Sequence, residues 1–356
     1  MQAERFECRV FSGWRRATLA LPVVESLRYS TGLSSDMMTS PAWFTSRTAA
    51  WHNSPVVVLL EQEGKPAAAV LFYSRCHLGL PTGVVKGGNH TGDGLVIAPE
   101  GQRVAAVEAA ALEVLLLPWV HTVAASLREK AVPTPAAIFP HADHVWQSRA
   151  INTHLSLEDG FEGFLSRLRP RSRRNYRYFR RRAEREHGLA FVPRLQVEDS
   201  IRAVEELRGS LLHPVPRGRS IMLDAAIRKT PGSFAMGIRD AAGRWMSYLS
   251  GWRQIGTTFV EWQLNCHDFE AASLSTVMRT YFLEHEAAQG VSQVVFVGGT
   301  SAALGRYCAL DHCLDLVATR RGIRGIMARS LLSRLRPEGQ VALLMQGQGQ
   351  PLSVGA

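Results

Sequence analysis

Residues 164–191 read FLSRLRPRSRRNYRYFRRRAEREHGLAF. Ten arginines fall between Arg167 and Arg185 against one acid, Glu184, so this run carries nearly all of the chain's formal net charge of +10. Leu168, Tyr176, Phe179 and Ala183 recur at helical spacing and predict a helix with those four turned inward. Gly188 ends that helix, and a strand starts in HGLAFVP. Arginine stems can cover apolar surface while their heads stay wet. Guanidinium forks also suit phosphate oxygens, which makes Arg173, Arg174 and Arg177 candidates to face an anionic donor or substrate. Tyr176, Tyr178 and Phe179 could stack on bases. No helix-turn-helix, zinc-finger or RNA-binding signature accompanies them.

Working outward, a helix is expected near 200–212, then a polar loop HPVPRGRS. The strands GSFAMGIRD, RWMSYLSGWRQ and TTFVEWQLNC follow, with the turns DAAG and QIG between them, which predicts an antiparallel meander. A helix over about 273–288 turns Leu274, Val277, Met278, Tyr281 and Phe282 to its buried side. The strands SQVVFVGG and CLDLVAT and a helix near 323–335 close this half. The first half holds a strand pair, PVVVLLEQ and PAAAVLFYS, joined by EGK, then the glycine-rich GLPTGVVKGGNHTGDG. A helix from Gln102 and the strand WVHTVAASL come next, and KAVPTPAAIFPHADHVWQ reads as an irregular connection to a second lobe. Hairpin, loop, helix and strand therefore occur in that order twice, near 55–126 and 233–297, without a residue-level repeat. The expected organisation is two similar α/β (α+β) lobes, 1–150 and 151–335, with a glycine- and glutamine-rich tail over 336–356.

Composition bounds the class. A chain of 356 residues with 46% hydrophobic and 20% charged residues describes a globular protein. No apolar run approaches the roughly 18 residues of a membrane span. The opening MQAERFECRVFSGWRR lacks the unbroken apolar core of a signal peptide. Five cysteines without regular spacing suggest reduced thiols, and a cytoplasmic location is expected. HADH and CALDHC lack a second half at zinc-site spacing, so no metal is expected. GLPTGVVKGG has no GK[ST] after its glycines, and GTSAALG lacks the nucleophile elbow.

The arginine run resembles the segment that opens the BioF2-like acetyltransferase domain of the GNAT superfamily, where a serine/arginine stretch leads into a basic helix, a glycine and a strand. The meander, the helix and GVSQVVFVGGTSAALGRYCAL follow in that family's order, so the resemblance covers roughly 151–320. A weaker likeness over 50–130 suits the family's first lobe, and Fem-type aminoacyl-transferases share the twin-lobed plan. The resemblance implies two GNAT-like lobes with mixed, largely antiparallel sheets flanked by helices. It further implies acyl transfer from acyl-CoA (acetyl-CoA) to an amine or hydroxyl, N- or O-linked, on a small molecule or a glycan or cell-envelope precursor. The family places glycine in the turn before the central helix so that backbone can approach a pyrophosphate; here EAASLSTVM has none. Ser273, Leu274, Ser275 and Thr276 still offer hydroxyls and a helix N-terminus, which favours an anion.

In TTFVEWQLNCHDFE, period two puts Glu261, Gln263 and Asn265 on one face and Val260, Trp262 and Leu264 on the other. A mid-strand carboxylate among apolar neighbours is a candidate general base, or else a solvent-facing strand residue. His267 and Asp268 sit at the strand end, where they can act on a ligand or cap a turn. Tyr307 matches the family's tyrosine after the last glycine pair, which implies protonation of a leaving group; a buried tyrosine with a satisfied hydroxyl is the alternative. Asp93, in GGNHTGDG, lies where related twin-lobed enzymes place an acceptor-binding carboxylate; an Asp-Gly turn is the alternative. Two other functions stay open: Fem-like aminoacyl transfer, with charged tRNA as the nucleic-acid partner, and a non-catalytic binding protein of this fold.

Overall fold

A computed structural model describes residues 6–50, 52–77, 79–89, 91–129, 142–208, 217–266, 273–297, 299–300 and 302–321. They fall into two compact units: those of 1–151 and from 312 onward make unit 1, and those of 152–311 make unit 2. No helix among them is long and apolar enough to cross a membrane.

Unit 1 opens with β1 (Glu7–Ser12), α1 (Trp14–Ser30) and α2 (Pro41–Ala50). The expected strand pair is β2 (Ser54–Gln62) and β3 (Lys65–His77), antiparallel from Ser54↔Ser74 to Gln62↔Lys65. Then come β4 (Leu80–Gly87), β5 (Val96–Ile97), α3 (Arg103–Leu116) and β6 (Thr122–Arg128). Because α3 carries the chain back across the sheet, β4 and β6 pair in parallel, Val84↔Thr122 to Gly87↔Ala125. Val107, Ala110, Ala111 and Val114 of α3 are fully buried against Val58, Val70 and Phe72 of β2 and β3.

The chain enters unit 2 through β7 (Ala142–Ser156), where the sequence pattern suggested an irregular connection. Its polar residues Asp143, Gln147, Arg149, Asn152 and His154 hid a strand whose Ala142, Trp146, Ile151 and Leu155 are buried. Unit 2 continues with α4 (Gly160–Arg167), α5 (Pro170–His187), β8 (Ala190–Val192), α6 (Val197–Arg208) and α7 (Arg217–Arg228). Helix α7 begins inside the segment that read as a polar loop. The meander β9 (Ser233–Arg239), β10 (Trp245–Gln254) and β11 (Thr257–Asn265) forms as expected, followed by α8 (Leu274–Ala288), β12 (Gln293–Phe296) and α9 (Ala302–Gly305). Within unit 2 the strand order is β7-β12-β11-β10-β9-β8. All pairs are antiparallel except β11/β12, again bridged by a helix.

The last strand, β13 (Ala309–Arg320), pairs antiparallel with β6 of unit 1, Cys313↔Arg128 to Thr319↔Thr122. By sequence order it was placed with the second lobe. Its apolar face Leu314, Leu316 and Ala318 completes the unit 1 core instead, since pairing partners need not be neighbours in the chain. The helix expected near 323–335 and the tail lie outside the described residues.

Candidate functional site

The parallel pair of unit 2 is short. β11 and β12 match from Thr257↔Gln293 to Val260↔Phe296, closed by the Val297 amide donating to the Val260 carbonyl at 2.9 Å. Beyond that point β12 ends, while β11 runs on to Asn265. Residues 261–265 thus have no strand on their β12 side among the described residues. The parting coincides with a β-bulge: Ser250 opposes Trp262 and Gly251 opposes Val260, so Glu261 is the extra residue. The bulge resets the side-chain alternation. Val260 packs in the core beneath α8, whereas Trp262 and Leu264 pack in the cluster under α6. The strict period-two grouping of Val260, Trp262 and Leu264 is therefore corrected. Gln263 turns toward α8, its Nε2 3.4 Å from the Ser275 carbonyl, while Asn265 accepts from Ser247 at 2.8 Å. Gly251 makes the bulge sterically possible, because a Cβ there would lie 1.8 Å from the Phe259 carbonyl oxygen.

Helix α8 begins beside this opening. Ser273 stands at φ 51°, ψ 45°, in the left-handed region that usually falls to glycine, and its side chain makes no capping bond. The turn thus has the backbone form expected of a glycine while carrying a serine. The Ser273 carbonyl accepts from the amides of Thr276 (2.8 Å) and Val277 (3.1 Å), leaving the first N–H groups of the helix without intrahelical partners. The other end of α8 is clamped to the sheet: fully buried Glu286 takes a bidentate pair from Arg253 (3.0 and 2.6 Å) and a bond from the Thr258 hydroxyl.

The arginine run forms α5, capped by left-handed Gly188 as its sequence requires. Leu168, Tyr176 and Ala183 are buried, and Phe179 packs against them. Glu184, the lone acid, accepts from the Tyr281 hydroxyl of α8 and pairs with Arg180, whose guanidinium lies 4.3 Å from the Tyr281 ring centre. The outer face is open: Arg173, Arg174, Arg177, Arg181 and Arg185 line one depression with Pro170 and Tyr178. Arg177 also pairs with Glu162 at 2.7 Å. Tyr307 follows α9 and reaches the start of α5. Its hydroxyl donates to the Ser172 hydroxyl (3.2 Å) and accepts from the Arg169 amide (3.3 Å). The Ser172 bond foremost, then the Arg169 amide and the charges of Arg306 and Arg169, holds the phenol below its usual range against a small opposing effect of burial.

Unit 1 handles the same point differently. After Gly87 the chain folds back, residues 88–89 and 91–94 lying along the end of β6, and the Arg128 amide donates to the Gly92 carbonyl at 2.9 Å. The Asn89 side chain accepts from the amides of Thr91 and Asp93, both at 2.9 Å. Asp93 bonds the Thr91 hydroxyl (2.5 Å) and Arg128 (2.8 Å). Burial pushes the Asp93 carboxyl up, with Arg128 and Thr91 pulling it part of the way back.

Of the residues singled out from sequence, unit 2 holds Glu261, Tyr307, Ser273, Leu274, Ser275, Thr276, Arg173, Arg174 and Arg177, while Asp93 belongs to unit 1. His267 and Asp268 lie outside the described residues. Two residues were missed. Gly251 was legible as an isolated glycine inside a strand pattern, a bulge signal. Arg279, on the inner side of α8, gives no signal in sequence because a helical arginine is ordinarily solvated.

No family model and no curated relative matches the sequence. Among solved structures the chain is similar to FemX, with a TM-score of 0.54 and 7% identity over 83% of this chain and 95% of that one. It also matches a tandem GNAT protein from the clavulanic acid biosynthesis pathway, with a TM-score of 0.49 and 13% identity over 89% and 99% of the two chains. A putative lysylphosphatidylglycerol synthetase C-terminal domain from Agrobacterium fabrum matches with a TM-score of 0.49 and 10% identity over 88% and 96%. At 7% identity the likeness to FemX is one of fold alone.

Proposed function

We propose that unit 2 transfers an acyl group from an acyl-coenzyme A, with acetyl-CoA as the working donor, to an amine or hydroxyl of a small molecule or of a glycan or envelope precursor. The observation that carries this is the opening between β11 and β12 beside the start of α8. Backbone along residues 261–265, paired with β10 on one side and with no strand on the other among the described residues, suits an extended, amide-bearing chain such as a pantetheine arm, added as a strand. The first turn of α8, Ser273 to Thr276, suits the pyrophosphate through orphan N–H groups and the helix dipole. Arg173, Arg174 and Arg177 would meet outer phosphates.

In this reading Glu261, at the bulge, takes a proton from the acceptor as its nitrogen or oxygen attacks the thioester carbon. The C–S bond then breaks, and Tyr307 gives its proton to the departing thiolate, so that acyl-acceptor and free coenzyme A thiol leave. Lowering of the phenol's pKa by Ser172 and Arg169 suits that donor role. His267 and Asp268, next along the chain from β11, stay candidates for carrying the proton onward. Asp93 has no part in the transfer as proposed, since its carboxylate is engaged by Arg128 and Thr91.

A second reading, aminoacyl transfer from charged tRNA, is favoured by one feature of α5. Arg173, Arg177, Arg181 and Arg185 stand at successive i,i+4 positions of α5, a row of like charge. Such pairs cost a helix about 0.2–0.5 kcal/mol each, and a polyanion would reverse that cost. Calorimetric titration with acetyl-CoA and a salt series with bulk tRNA separate the two. Saturable acetyl-CoA binding, lost in Ser275→Asp, which sets a negative charge at the helix start, supports the coenzyme reading. No heat with acetyl-CoA, together with tRNA binding that falls by orders of magnitude from low to physiological salt, would replace it with the tRNA reading.

A further inference from the structure

Unit 2 supplies a carboxylate to its other inward-reaching arginines: Glu286 to Arg253, Glu184 and Glu284 to Arg180, and Asp224 to Arg228. Arg279 is the exception. It follows Ser275 by one turn of α8, and its Nε is sealed from solvent with no hydrogen-bond partner. Among the described residues no acid pairs with it. Among the described residues, the titratable groups in its electrostatic reach are Tyr176 and Cys308. Burial pushes both up to about 12, so both are neutral at physiological pH and neither offers a negative charge. The same burial disfavours the arginine's own charge. A guanidinium without a counter-charge carries a large desolvation penalty, which a side chain this long can ordinarily escape by reaching water. The residue as a whole is only half-buried, so an incoming group can still reach it.

We propose that Arg279 binds the carboxylate of the acyl acceptor, which makes the acceptor an amine or alcohol of the amino-acid type. This rests on the acyl-transfer reading. One guanidinium among neutral neighbours balances one charge, and its planar fork matches a carboxylate bidentately. A phosphate ester near its second ionisation carries more charge than this site neutralises. Cys308 directly follows Tyr307, so a group held at Arg279 lies close to the proposed proton donor.

The test needs neither donor nor turnover. Thermal melting of the full chain is followed with increasing sodium N-acetylglycine, its uncharged amide, and sodium phosphate, all at matched ionic strength. N-acetylglycine is expected to raise the melting temperature of the wild type, and the amide and phosphate to leave it unchanged. Arg279→Met should melt higher than the wild type without ligand and bind N-acetylglycine at least about tenfold more weakly; Arg279→Lys should retain part of the response. If Arg279→Met fails to fold, Arg279→Gln takes its place in the same comparison. If Arg279→Met and Arg279→Gln both melt below the wild type, or either responds to N-acetylglycine as the wild type does, the proposal is overturned; a response to phosphate instead of N-acetylglycine overturns the carboxylate assignment. Failure of the acyl-transfer reading would show separately, as absent heat with acetyl-CoA.

Discussion

In unit 1 the parallel pair β4/β6 is followed by a loop that lies back along the end of β6, bonds the Arg128 amide through Gly92, and is braced by Asn89, Thr91 and Asp93. In unit 2 the parallel pair β11/β12 parts at a bulge, and no strand covers 261–265 on that side among the described residues. Both pairs are bridged by a helix, yet one end is occupied by the protein's own backbone and, among the described residues, the other is not. The difference teaches that a duplicated plan can divide its work: in the acyl-transfer reading proposed above, the filled end is structural and the other is where a ligand would gain most from backbone pairing.

The sharpest way to break this comparison is through the glycines that shape each end. A Cβ at Gly251 would lie 1.8 Å from the Phe259 carbonyl oxygen, and one at Gly92, which has φ +76°, would lie 2.3 Å from the Arg128 amide nitrogen. Alanine at either position is expected to cost about 3 kcal/mol or more in denaturant unfolding. Only Gly251→Ala should also weaken acetyl-CoA binding in calorimetry. Equal loss of binding from Gly92→Ala would place the donor site in the wrong unit.

Next in size is the chemistry at the bulge. Glu261→Gln should lower turnover by about 10²-fold, with donor affinity little changed. An unaltered pH–rate profile in that variant would remove Glu261 from the mechanism. Tyr307→Phe should slow the reaction by about tenfold or more and abolish the alkaline limb that the lowered phenol pKa predicts. Activity that survives at high pH in the wild type would count against the tyrosine as acid.

A smaller effect concerns the start of α8. Ser273 holds a left-handed conformation that costs a non-glycine residue about 1 kcal/mol. Ser273→Gly should therefore stabilise the protein by roughly that amount in denaturant unfolding. A destabilised variant would mean that the hydroxyl contributes something the backbone geometry does not reveal.

The smallest effect belongs to unit 1. Asp36 and Asp93 both titrate above the usual 3.8, chiefly through burial. The folded state therefore holds these protons more tightly than the unfolded chain. Stability falls as the pH rises from the ordinary aspartate value through the folded values, and is regained on acidification across the same window. Melting curves across that window should show this slope flattened in Asp93→Asn. A slope of the opposite sign would show that Arg128 outweighs burial.

Much of this was legible in the sequence because it depends on local pattern. Helical spacing marked the buried side of α5 and of α8, turn residues marked the meander, and the order hairpin, loop, helix, strand, met twice, marked two α/β units, although β4 itself read only as part of a glycine-rich loop. Glycine at 188 and the apolar stripe of α8 are read from a few neighbouring side chains, and neighbours are what a sequence displays. What tertiary structure alone decided is non-local. The return of β13 to the unit 1 sheet, the break in alternation at Glu261 and, among the described residues, the filling of one strand gap but not the other and the lack of a carboxylate for Arg279 each depend on which distant segment arrives beside a residue. An arginine in a helix, or a carboxylate in a strand, looks the same in sequence whether water, an acid or nothing lies opposite, because solvation and pairing are properties of the assembled surroundings.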